Sequence, residues 1–211
     1  MKRKILNVIS ILLIVSGIGI IGGTLYLRYK VENKNKTMVK QFEERVKESR
    51  NKNSKNEDNN KVDSRDAKKK ELSLSEGTIG IIQIPKIDLT VAIGEGVKKE
   101  LLRYAVGHFP ETVMPGEKGN CALAGHSSYV YNEFFNGLEE NIANGDKILI
   151  KTMQGDFEYK VYDKFVVEPE RVEVLNPSEE SILTLVTCTE KGKRRLIVKA
   201  KLLLPGTSRN K

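Results

Sequence analysis

Between Ile5 and Leu27 the chain carries no charged side chain. As a helix this stretch is about 34 Å long, enough to cross a hydrocarbon core of about 30 Å. Nothing else in the sequence constrains the chain as strongly, because such a surface has to leave water. Met1-Lys2-Arg3-Lys4 precedes it, and the positive-inside bias puts that end in the cytoplasm. A cleaved signal peptide has a shorter apolar core and a small-residue cleavage site. Here the run ends in Tyr26-Leu27-Arg28-Tyr29-Lys30 instead. The expectation is an uncleaved, single-pass anchor over 5–27, a cytoplasmic stub over 1–4, and an extracellular remainder.

Charge divides the chain at a second point. Residues 1–71 hold 18 Lys and Arg against 9 Asp and Glu, whereas 72–211 hold 18 against 19. The net charge of +8 therefore sits in the N-terminal third. Nucleic-acid binding needs a clustered basic face on the folded part, and a near-neutral domain argues against it. Residues 28–73 read as a charged, largely disordered linker that spaces the domain from the membrane. Val39, Phe42 and Val46 recur at helical spacing within it, yet three apolar residues cannot hold a helix without a partner.

From Leu72 onward the pattern is short β-rich runs separated by turn residues: Ile79–Ile84, Leu89–Ile93, Asn120–Ala124, Lys147–Thr152, Phe157–Val167, Ile182–Cys188 and Arg195–Leu204. Helical intervals are expected over Lys98–Val106 and Tyr131–Ile142, and Asn176-Pro177-Ser178-Glu179 has the form of a helix start. Many short strands with a few short helices imply a mainly β domain, a closed or nearly closed barrel, over 74–206, with 207–211 as a tail.

The chemistry concentrates at one hairpin. Leu183-Thr184-Leu185-Val186-Thr187-Cys188 is an apolar strand ending in a thiol, and a second apolar run opens with Arg194-Arg195. If Cys188 lies opposite Arg195, six residues separate them and both side chains share one face. A guanidinium beside a thiol favours the thiolate or serves as donor to an oxyanion. Arg194 would then point to the other face. His126 ends the run Cys121-Ala122-Leu123-Ala124-Gly125 and is the candidate proton shuttle. His108, in Gly107-His108-Phe109-Pro110, reads as loop structure. Two cysteines are too few for a disulfide framework, and Cys121 reads as a small buried hydrophobe.

Thr184-Leu185-Val186-Thr187-Cys188, an arginine seven positions later and Ala124-Gly125-His126 upstream together resemble the sortase family. Gly80-Ile81-Ile82-Gln83-Ile84-Pro85-Lys86-Ile87 and Gly107-His108-Phe109-Pro110 extend the likeness over roughly Gly77 to Leu204. The resemblance implies an eight-stranded sortase-type β-barrel preceded by one transmembrane helix. It also implies a membrane-anchored cysteine transpeptidase of Gram-positive surfaces, with His126, Cys188 and Arg195 catalytic. The implied reaction cleaves a Leu-Pro-x-Thr-Gly-like sorting signal between Thr and Gly through a Cys188 thioester, then transfers the protein to an amine of a peptidoglycan precursor. Thr187 is the expected substrate-pocket residue, its other reading being a β-branched strand residue. The segment Glu168–Ser181 corresponds to the loop that helps recognise the signal. No cofactor or metal is expected. The short Cys-to-Arg turn and the N-terminal anchor look most like class D, and Ser127 stands where many sortases carry arginine or asparagine. Two other readings are a cysteine peptidase or wall hydrolase using the same thiol with water, and a non-catalytic surface binding module.

Overall fold

The computed structural model describes residues 2–53, 77–127, 134–189 and 192–203. Its centre is a closed barrel of eight strands: β1 (Thr78–Ile84), β2 (Leu89–Glu95), β3 (Val106–His108), β4 (Asn120–Ala124), β5 (Lys147–Thr152), β6 (Asp156–Val167), β7 (Ile182–Thr189) and β8 (Arg194–Leu202). Around the barrel the order is β1-β2-β3-β4-β7-β8-β6-β5. The pairs β2–β3 and β4–β7 are parallel and the other pairs antiparallel. Closure removes the sheet edges that would otherwise expose unpaired backbone groups.

The expected mainly β, eight-stranded barrel is what forms, and β4 and β5 have the bounds read from the sequence. Alternation supplies the core. Ile82 and Ile84 from β1, Val91 and Ile93 from β2, Leu183 and Leu185 from β7, and Leu196 and Val198 from β8 all meet inside. Tyr159 is also interior, and its hydroxyl oxygen accepts the Gly116 N–H at 2.7 Å. Cys121 joins this cluster, as a small hydrophobe should, and burial pushes its thiol up to about 12.

Three local expectations are corrected. Lys98–Val106 is not one helix: α2 covers only Lys99–Leu102, and Val106–His108 becomes a barrel strand paired with Ile93–Glu95. Tertiary pairing overrides a weak helical pattern of one turn. Within Tyr131–Ile142, only Leu138–Asn141 (α3) is helical among the described residues, and Tyr131 lies outside them. Asn176 starts no helix. A 3-10 turn, Val172–Leu175, ends there, and Asn176 adopts φ −52°, ψ 148°, the extended region that a following proline favours. The end of the final strand beyond Leu202, through Leu204, and the 207–211 tail lie largely or wholly outside the described residues.

Before the barrel runs a single helix, α1 (Lys2–Asn53). Its large apolar residues from Ile9 to Leu27 are exposed, and it is the one helix among the described residues long and apolar enough to cross a membrane. Further on, Met38, Phe42 and Val46, spaced by four, are buried against Ile81, Ala92, Leu101 and Ala105. The stripe that lacked a partner in the sequence finds it in the outer wall of β1, β2 and the β2–β3 connection. Asn35 Nδ2 donates to the Tyr104 carbonyl at 2.9 Å, and Arg45 donates to the Thr78 carbonyl at 3.1 Å. Val31 to Asn53 is thus a docked strut. The rest of the expected linker, from 54 to 73, lies outside the described residues.

Candidate active site

Cys188 and Arg195 are direct cross-strand partners in the antiparallel β7–β8 ladder. Thr189 pairs with Arg194 one step nearer the turn, where Gly192 takes the left-handed φ of +90°. Glu190 and Lys191 lie outside the described residues. Alternation assigns the faces. Leu183 and Leu185 point into the barrel, as do Leu196 and Val198, so Val186, Cys188, Arg195 and Ile197 share the outer face. Cys188 is half-buried and free.

His126 arrives from the other side. The parallel β4–β7 ladder ends at Ala124 opposite Val186, and the Gly125 N–H still donates to the Val186 carbonyl at 3.1 Å. His126 follows two residues beyond the last residue of β4, and Cys188 lies two residues beyond Val186 on β7. The Ser127 hydroxyl donates to the Cys188 carbonyl, so the two chains remain in contact past the histidine. Cys188 and Arg195 thus share one face of β7 and β8, and His126 lies in the segment that leaves the end of the neighbouring β4. Gly125 fits locally because a Cβ there would stand 2.5 Å from the Phe135 ring, and the Phe135 N–H donates to the His126 carbonyl at 3.0 Å.

A groove of about 220 Å³ runs along the same face. Val186, Ile197 and Arg195 form its floor, and Val172, Val174 and Leu175 from the β6–β7 connection form a wall. That connection is anchored by Asn120, which is 2 % exposed. Its Nδ2 donates to the carbonyls of Val174 and Asn176, each at 3.0 Å, and its Oδ1 accepts the Thr184 hydroxyl at 2.7 Å. Neither Asn120 nor Ser127 was singled out as a site residue from the sequence. A polar residue opening an apolar strand was the available signal for the first.

The other residues fall outside the site. Thr187, expected beside the substrate pocket, instead pairs with Leu196 on the interior side and is 4 % exposed. Its hydroxyl has no hydrogen-bond partner among the described residues. Arg194 forms an ion pair with Glu168 at 3.0 Å. His108 is 2 % exposed and structural: Nδ1 meets Glu95 at 3.0 Å and Nε2 meets the Val113 carbonyl at 3.0 Å. The Arg195 guanidinium folds back on its own turn, donating to the carbonyls of Gly192 at 3.0 Å and Arg194 at 3.2 Å.

A sortase-domain family model matches residues 82–203, more than half of the chain and nearly the whole barrel. The chain belongs to the sortase family. It is 29 % identical to Sortase A of Bacillus anthracis over 189 residues, covering 89 % of this chain and 88 % of that one. It is 28 % identical to Sortase D of Bacillus subtilis over 110 residues, 52 % of this chain and 53 % of that protein. Among solved structures, a Clostridium perfringens Sortase D5 transpeptidase superposes with a TM-score of 0.63 at 33 % identity, covering 82 % of this chain and 99 % of that one. Streptococcus agalactiae sortase C1 superposes with a TM-score of 0.59 at 29 % identity, covering 63 % and 73 %. Sortases are cysteine transpeptidases, and this sortase is an enzyme of that kind.

Proposed function

We propose that this sortase cleaves a Leu-Pro-x-Thr-Gly-like signal between Thr and Gly with Cys188 as nucleophile, His126 as proton shuttle and Arg195 as oxyanion donor. The observation that carries the reading is the direct pairing of Cys188 with Arg195 beside an apolar groove, with His126 just past the end of the adjoining strand. An extended signal peptide lies along Val186 and Ile197, against the wall formed by Val172, Val174 and Leu175. The Cys188 sulfur attacks the threonine carbonyl carbon, and Arg195 leaves its two carbonyl contacts to donate to the developing oxyanion. As the C–N bond breaks, His126 gives its proton to the leaving glycine amine. An incoming amine then attacks the thioester, His126 takes up the proton, and the sulfur leaves. One amide bond is exchanged for another. Thr187, on the interior side, stays out of contact with substrate.

The acceptor is an amine of a peptidoglycan precursor. The chain is anchored in a Gram-positive cell membrane by residues 5–27, with 1–4 cytoplasmic and the catalytic domain, 74–206, outside. The exposed apolar surface of α1 and the charges before it support this placement. Class D is supported by the short turn between Cys188 and Arg195 and by the Sortase D5 likeness. The test incubates the chain with Leu-Pro-x-Thr-Gly-type peptides and hydroxylamine. Hydroxamate should form with wild type and vanish with Cys188→Ala; hydroxamate from the variant, or none from wild type across a signal library, refutes the assignment. Product partition with and without an added amine separates transfer from the hydrolase reading.

A further inference from the structure

A second cavity, of about 510 Å³, shares none of its described lining residues with the groove. It lies between α1 and the barrel, and His126 forms part of its lining. Lys30 from α1 and Lys99 and Arg103 from α2 and the turn after it supply three cations, and among the described residues no carboxylate lines it. None of the three cations forms an ion pair among the described residues. Leu27, Val31 and Phe134 add an apolar wall. The volume lies within the roughly 300–1,000 Å³ of small-molecule sites.

Its height relative to the apolar helix identifies the occupant. Lys30 stands three residues past Leu27, about 4.5 Å along the helix axis. Lipid headgroup layers occupy about 5–7 Å on each side of the hydrocarbon core, so Lys30 is at phosphate level when 5–27 spans the membrane. Asn35, the first residue buried against the barrel, is about 12 Å beyond Leu27, which holds the barrel's α2 side against the bilayer surface. We propose that this cavity binds the phosphate-bearing headgroup of an anionic membrane lipid, beside His126. The cations take the phosphate, Leu27 and Val31 follow the first carbons of the acyl chains, and the catalytic face is set at a fixed height over the membrane. The proposal rests on reading 5–27 as a membrane span.

The test uses the full chain in uncharged detergent micelles, titrated with short-chain phosphatidylglycerol, short-chain phosphatidylcholine or inorganic phosphate. Protection of His126 from carbethoxylation by diethylpyrocarbonate is followed by mass spectrometry. Phosphatidylglycerol should protect at a concentration at least tenfold lower than either alternative. The variant K30Q/K99Q/R103Q should bind about 100-fold more weakly, given the contribution of each basic residue near an anionic surface. In wild type, 0.5 M salt should erase most of the preference. Equal protection by phosphatidylcholine shows a merely apolar slot, and equal protection by inorganic phosphate shows a free-anion site; either overturns the proposal, as does unchanged binding by the triple variant or at high salt. Failure of the membrane-span reading shows separately, as a chain recovered in the soluble fraction of cells.

Discussion

Replacing Asn120 with alanine should loosen the groove without touching the thiol. The amide makes three hydrogen bonds in a site that is 2 % exposed: two to the carbonyls of Val174 and Asn176 at 3.0 Å, one from Thr184 at 2.7 Å. Truncation leaves one hydroxyl and two carbonyls unpaired. Each net bond is worth about 1 kcal/mol and each stranded buried group costs about 1–3 kcal/mol, so about 3–5 kcal/mol is lost. That is a large share of a stability of about 5–15 kcal/mol. With a urea slope of about 2 kcal/mol per molar, the midpoint falls by about 2 M. Urea unfolding followed by circular dichroism measures this, and hydrogen exchange should show residues 172–176 losing protection first. Because that segment walls the groove, peptide KM should rise more than kcat falls. Thr184→Val in the N120A background removes the stranded hydroxyl, so the double variant should be about 1 kcal/mol more stable than the sum of the single effects implies. A loss below about 1 kcal/mol, or strict additivity with Thr184→Val, would refute the anchoring role.

Arg195→Ala should lower kcat by about 10²–10³-fold in the hydroxamate assay, while Arg194→Ala, which loses the Glu168 ion pair, should leave it within a few-fold; comparable losses would remove the face assignment. Cys121 should resist iodoacetamide in the native protein under conditions that label Cys188. Its thiol is pushed from 9.0 up to about 12 by burial, with Glu117 and Glu95 adding. The folded state therefore holds this proton more tightly than the unfolded state, and the contribution is full below pH 9 and lost as pH rises toward 12. Between pH 8 and 10, wild type should lose about 1 kcal/mol more stability than Cys121→Ala, and equal slopes would contradict the burial argument. Phe42→Ala, at a fully buried contact with Ile81, should cost about 3–5 kcal/mol locally, seen as faster exchange over residues 35–50 with the barrel amides still protected.

Much of the barrel was legible locally. Asn120–Ala124 and Lys147–Thr152 declare themselves by β-rich composition and flanking turn residues, and both form with the expected bounds. Val106–His108 did not, because a three-residue strand is shorter than any period that could reveal it. Asn176-Pro177 carried the residues of a helix cap, yet the residue before the proline is held extended and the chain runs straight on to β7 at Ile182. Met38 was missed as part of the α1 stripe because its importance comes from Ala92, Leu101 and Ala105, more than fifty residues away.

The sequence by itself determined the apolar helix, the alternation that gives each strand an inner and outer face, and the three candidate groups His126, Cys188 and Arg195. Of those, only the pairing of Cys188 with Arg195 could be inferred from local spacing, since a short hairpin sets its own register. Tertiary structure decided that β4 lies parallel to β7, with Ala124 opposite Val186, and that α1 lies against the barrel to enclose a second cavity. A period of two residues specifies which way a side chain points but not which strand lies next to it. That choice is made when the whole sheet closes, through contacts that no short window of sequence contains.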